Sequence, residues 1–162
     1  MKHGARGYRE KEVSKWTPKN ETRQDEKTES PTEQREEYMS TIRTDHSPQP
    51  IGPYVQGVEA AGFVFVSGQT GLTPSGQLVE GGIEGQTHQV LENLKAILES
   101  AGSSLDKVVK VNAYLVDMVE FPTFNRVYEE YFDEPYPARA TIGVLALPAG
   151  GRVEVDCIAL AA

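Results

Sequence analysis

Seven segments in the order strand, strand, helix, strand, helix, strand, strand leave a chain like this few ways to fold. Val55 to Glu59 and Phe63 to Ser67 are short β-prone runs joined by Ala60-Ala61-Gly62, which reads as a hairpin. Val90, Leu94, Ile97, Leu98 and Ala101 then recur at helical spacing, and Gly102 is a natural stop. Val108 to Leu115 reads as a strand, with Val109, Val111, Ala113 and Leu115 on one face. Phe121, Phe124, Tyr128 and Tyr131 form the apolar stripe of a second helix. Pro122 requires that helix to begin near residues 119–121, and Pro135 and Pro137 close it. Residues 139–145 and 153–160 are the last two strands, separated by Pro148-Ala149-Gly150-Gly151. This order predicts an α+β layout, with two helices available to cover one face of a mixed sheet.

The rest of the chain is connection and extension. Residues 47–53 form a Pro- and Gly-set entry, and residues 71–82, with four glycines, form a loop. Residues 1–38 are nearly half charged, and their apolar residues stand singly, as at Val13 and Trp16. Such a stretch buries too little surface to offset its chain entropy and reads as a disordered charged extension to a domain at 39–162. An interaction tail anchored by Trp16, or a true start at Met39, are the other readings.

Charge sharpens the picture. The extension is neutral, with 9 basic and 9 acidic residues, so the whole net charge of −8 falls on residues 39–162. A compact domain this acidic is repelled by phosphate backbones and anionic lipid, which argues against nucleic-acid and membrane partners. Cys157 is the sole cysteine, so no internal disulfide framework exists. No apolar run approaches 18 residues and no secretory h-region is visible; the expected location is cytoplasmic.

Several chemistries lack their residues. His3, His46 and His88 are scattered, with no His-x-x-x-His or Cys-x-x-Cys pairing for a metal. No Walker loop or dinucleotide fingerprint follows a strand, and Ser67-Gly68 lacks the hydrolase elbow. Cys157 shares an alternating face with Val153 and Val155 and reads as a buried thiol. An enzyme built on this chain is expected to need neither metal nor cofactor.

What remains centres on Arg139, the only charged residue in YPARATIGVLAL (136–147). A guanidinium in such company needs an anion, because burying a lone charge costs several kcal/mol. The anion is either a structural carboxylate, Glu154 or Asp156 on the last strand, or an incoming ligand. Glu154 alternates with Arg152 and Asp156 to one face of RVEVDCIAL, and bonded directly to Arg139 it would be a weak base. Tyr54, after a Pro-set loop, either presents its hydroxyl or packs over the hairpin. Asn125 lies on the polar side of the second helix.

The blocks IGPYVQG (51–57), FVFVSGQTG (63–71), NLKAILESAGSSLDKVVKVNAYLVDM (93–118), FNRVYEEYF (124–132) and YPARATIGVLALPAGGRVEVDCIAL (136–160) occur in order. Together they resemble the Rid superfamily, the reactive intermediate deaminases or YjgF-like proteins, over residues 41–162. The resemblance implies a chorismate-mutase-like two-layer fold, assembled as a homotrimer with ligand clefts between subunits. It also implies hydrolysis of 2-imino acids to 2-oxo acids and ammonium. Carried over by motif, Arg139 falls on the family's carboxylate-binding arginine and Glu154 on its water-positioning glutamate. Tyr54 is expected to steady the imine nitrogen or the water. Ser67, Gly68, Asn125 and Thr141 fall in the substrate cleft. Thr141 departs from the cysteine often found there, which implies a shifted substrate range. The competing expectation is a trimeric module that binds 2-oxo acids without turnover. A ribonuclease reading, claimed for relatives, is opposed by the acidic charge and the lack of a basic stripe.

Overall fold

The protein is described by a computed structural model that covers residues 38–162. The expected extension and its Trp16 lie outside the described residues. The strands are β1 (Ser40–Ile42), β2 (Gly57–Ala60), β3 (Phe63–Thr70), β4 (Val108–Leu115), β5 (Ala138–Gly143) and β6 (Val153–Leu160). The two α-helices are α1 (Gly82–Ser100) and α2 (Phe121–Tyr128). One six-stranded sheet runs β1-β2-β3-β6-β4-β5. Every neighbouring pair is antiparallel except β4 and β5, which are parallel across the α2 crossover.

Alternation along the strands decides which face is covered. Val64 and Val66 of β3, Val111, Ala113 and Leu115 of β4, and Val153, Val155, Cys157 and Ala159 of β6 are buried in one core. Val90, Leu91, Leu94, Ile97 and Leu98 of α1, with Phe124, Val127 and Tyr128 of α2, complete it. Both helices therefore lie on one face, as the α+β reading requires. Each Val, Leu, Ile and Phe among them contributes about 1.5–3 kcal/mol on leaving water. The opposite face carries Phe65, Glu154, Asp156, Asn112 and Tyr114, and no helix among the described residues covers it.

The structure corrects five local expectations. Helix α1 begins at Gly82, about two turns before Val90 opens its apolar stripe, burying Ile83, Gln86 and Thr87 in its first turns. It ends at Ser100, with Ala101 as its cap and Gly102 at φ +71°. Val109 does not share the face of Val111. A register shift between Val108 and Lys110 against β6 turns Val109 outward and Val108 inward, the signature of a bulge. Helix α2 ends at Tyr128 rather than near Pro135, although Tyr131 still packs on the core. Strand β5 stops at Gly143, leaving Leu145 almost fully exposed. Strand β1 is an additional edge element.

Candidate functional site

Two clefts divide the residues singled out above, except Thr141, which is in the lining of neither. The first, of about 500 Å³, lies beneath the 48–54 loop and is lined by Tyr54, Ser67, Gly68, Thr70, Glu154 and Asp156, among others. The second, of about 330 Å³, is lined by Asn125, Tyr128, Glu129, Tyr136, Pro137 and Arg139. Register explains the division. Arg139 is paired with Val111, whose side chain faces the helices, whereas Glu154 is paired with Tyr114 on the open face. Within one copy the guanidinium and the glutamate thus stand on opposite sides of the sheet.

Within one copy, neither Glu154 nor Asp156 forms a salt bridge with Arg139. Among the described residues the ion pairs are Arg126 with Glu84 and Arg152 with Glu120. The Arg139 guanidinium instead donates from Nη2 to Asn125 Oδ1 at 2.6 Å. It lies 4.4, 5.4 and 5.8 Å from the ring centroids of Tyr128, Phe124 and Phe121. Aromatic faces attract a cation without neutralising it. Half-buried, held on one edge by a neutral carbonyl, the guanidinium keeps donors for an anion. Thr141 follows Arg139 on the same face of β5, and its buried Oγ1 has no partner among the described residues.

Tyr128 belongs to this cleft as well as to the core, a double role that its helical spacing concealed. Burial pushes its hydroxyl up to about 12, against the opposing pull of Arg139. From its own residues Asn125 reads only as a polar position on α2, and the motif resemblance adds a cleft role; its neighbourhood with Arg139 depends on the crossover that lays α2 along β5.

In the first cleft, a buried network sets the loop that carries Tyr54. The Gln56 side chain accepts from Thr44 N–H at 2.7 Å and donates to the carbonyls of Thr44, Ser47 and Pro48. Ser47, fully buried, donates to Gln69 Oε1, and Gln69 Nε2 donates to the Ser67 carbonyl. Tyr54 is exposed, and its oxygen accepts from Ile51 N–H at 3.3 Å, leaving its own proton to donate outward. The Ser67 hydroxyl donates to the Val55 carbonyl at 2.7 Å.

Gly68 has a steric reason: a Cβ there would overlap the Glu154 carboxylate. Glu154 is consequently pressed against backbone, and it accepts no hydrogen bond among the described residues. Desolvation raises its pKa above the ordinary carboxylate value, and the nearby Asp156 charge adds to the rise. Cys157, on the core face, has its thiol pushed up to about 12 by burial, which makes it a poor nucleophile. Among the described residues no three His, Cys, Asp or Glu side chains gather as a metal site requires, and no helix is long and apolar enough to cross a membrane.

Comparison with known proteins agrees with the motif resemblance. The family model described as endoribonuclease L-PSP matches residues 44–161. A RutC family protein of Pyrococcus horikoshii is 50% identical over 119 residues, 73% of this chain and 94% of the relative. The 2-iminobutanoate/2-iminopropanoate deaminase of Mus musculus is 47% identical over 120 residues, 74% of this chain and 89% of the relative. The crystal structure of E. coli TdcF with bound serine superposes with a TM-score of 0.71 at 37% identity, covering 76% of this chain and 99% of that one. With a family model spanning most of the domain and relatives this similar, the chain belongs to the endoribonuclease L-PSP family, the Rid or YjgF-like proteins.

Proposed function

We propose that the protein is a hydrolase of 2-imino acids, with 2-iminobutanoate and 2-iminopropanoate as substrates. The observation that carries this reading is the state of Arg139: half-buried, laid on aromatic rings, bonded to one neutral carbonyl and paired with no carboxylate among the described residues. A 2-imino acid supplies the missing anion, and the planar fork can grip a carboxylate through two parallel hydrogen bonds. The mouse relative's name and the serine held by TdcF support a small carboxylate-bearing ligand.

The opposite placement of Arg139 and Glu154 supports a composite site. In this reading the cleft bearing Arg139 and Asn125 of one copy, with Thr141 farther along the same face of β5, faces the cleft bearing Tyr54, Ser67, Gly68 and Glu154 of the next, in a homotrimer. Arg139 holds the carboxylate, and Glu154 accepts a proton from the water that attacks the C=N carbon. Glu154 passes that proton to nitrogen, giving the carbinolamine; it then takes the hydroxyl proton as the C=O forms and hands it to nitrogen as the C–N bond breaks, and ammonia leaves. Tyr54 steadies the nitrogen. Positioning contributes several kcal/mol, on the order of half what ideal preorganisation can reach, and proton transfer about 10²-fold. The side chains named here carry every step. The reading places the reaction in the cytoplasm, beside the dehydratases that release such intermediates.

The test couples the protein to a threonine or serine dehydratase and follows imine decay. Arg139→Ala is expected to lose clearance by about 10²-fold while the fold survives, and Arg139→Lys to recover little, because a point charge cannot reproduce the fork. Clearance undiminished in Arg139→Ala would refute the assignment. A second reading, a 2-oxo-acid-binding module without turnover, draws on the same geometry, since the arginine cleft alone can bind a carboxylate. Binding of 2-oxobutanoate with no effect on imine lifetime would favour it. Nuclease action is disfavoured by the −8 charge of the chain, all of it on residues 39–162.

A further inference from the structure

Two carboxylates, Glu154 and Asp156, project from alternate positions of β6 into the same cleft, and their surroundings differ. Asp156 is anchored. Its Oδ1 accepts from Asn112 Nδ2 at 2.8 Å and its Oδ2 from the Tyr114 hydroxyl at 3.0 Å, both from the neighbouring β4. Glu154 is half-buried, lies against the Gly68 backbone and accepts nothing among the described residues. When like charges share a site and one holds all the donors, the other becomes the proton-exchanging member.

We propose that Asp156 is a positioning residue of this cleft: its anchored negative charge makes Glu154 the carboxylate that takes up and returns the proton of the reacting water. The proposal rests on the imino-acid reading above. It assigns to Asp156, Asn112 and Tyr114 a part that the motifs give to Glu154 alone. Attack requires Glu154 to accept a proton, and C–N cleavage requires it to deliver one to the leaving nitrogen. A carboxylate brought closer to neutrality performs both transfers better than an ordinary one.

The groups that face Glu154 are few. On β6 they are Asp156 and Arg152, the latter committed to Glu120. On β4 the group is Tyr114, in register with Glu154, and from the loop it is Tyr54; β3 presents Ser67, Gly68 and Thr70, none of which titrates near neutrality. Tyr114 is itself pushed above its usual value, first by its hydrogen bond to Asp156, so it stays neutral and donating. Asp156 is thus the one like charge among these neighbours.

The deciding measurement is a carbon NMR titration of Glu154 in the full chain labelled at the glutamate carboxyl, with Glu154→Gln for assignment. Asp156→Asn is expected to lower the Glu154 midpoint by about half to one pH unit. In the imine-decay assay, the acid limb of kcat/KM should move to lower pH by the same amount, because Glu154 must be ionised to accept a proton. Asp156→Ser replaces the amide variant should that one fail to fold. A Glu154 midpoint unmoved in whichever Asp156 variant folds would overturn the proposal, as would a loss of stability with an unchanged pH profile. The imino-acid reading fails separately, by absence of clearance in the wild type; the titration would still report the coupling of the two carboxylates.

Discussion

Arg139 and Glu154 could be picked out from the sequence for opposite reasons. Arg139 is a charge among apolar neighbours, so its need for an anion is visible in one dimension. Glu154 alternates with Cys157 and Val155 on a strand whose inner face is plainly apolar. Asp156 alternates in the same way, yet its importance comes from Asn112 and Tyr114, which are 44 and 42 residues away. Strand pairing creates that relation, and no local pattern encodes it. Gly68 reads from the motif as a cleft residue beside Ser67, with no sign of what its missing side chain makes room for. In three dimensions it is the space Glu154 occupies, so Gly68→Ala must displace the carboxylate. We expect that variant to lose at least about tenfold in imine clearance, by the loss of aligned proton transfer. It should still bind 2-oxobutanoate in a calorimetric titration, because the arginine cleft is untouched.

Elements were legible where periodicity is undiluted. Both helices, the hairpin and the strands β4 and β6 follow from their apolar spacing. The misreadings share a cause: tertiary pairing overrode local pattern. The bulge at Val109 breaks an alternation that looks continuous, and β1 is too short to carry a pattern at all. The first turns of α1 bury Gln86 and Thr87, polar residues that conceal the amphipathic face. Thr87 satisfies its hydroxyl on the Ile83 carbonyl at 2.6 Å, and Gln86 accepts from the Arg152 N–H. The 44–56 segment holds its shape through Gln56, which is 1% exposed and reaches three carbonyls. Gln56→Leu keeps most of the volume and strands those groups, so a cost of about 1–3 kcal/mol is expected in denaturant unfolding. Amide exchange should quicken across residues 44–48 well before it does in the core of α1.

At the scale of the whole molecule, the sheet separates the duties of the chain. One face is closed by helices and holds the core; the other leaves Phe65 and Ile142 exposed beside the Glu154 and Asp156 carboxylates. The two-layer α+β arrangement followed from the order of the segments, but the partition of Arg139 and Glu154 did not, because strand order was not readable from the chain. A mixed sheet in which β6 inserts between β3 and β4 sets their faces.

This partition has a genetic consequence. A copy disabled at Arg139 still carries an intact glutamate, and a copy disabled at Glu154 still carries an intact guanidinium. Refolded together, two crippled partners should complement one another and recover a fraction of wild-type turnover, whereas each alone stays about a hundredfold down. Activity measured across mixing ratios would peak between the pure variants, and a flat, low profile would mean that each copy works by itself.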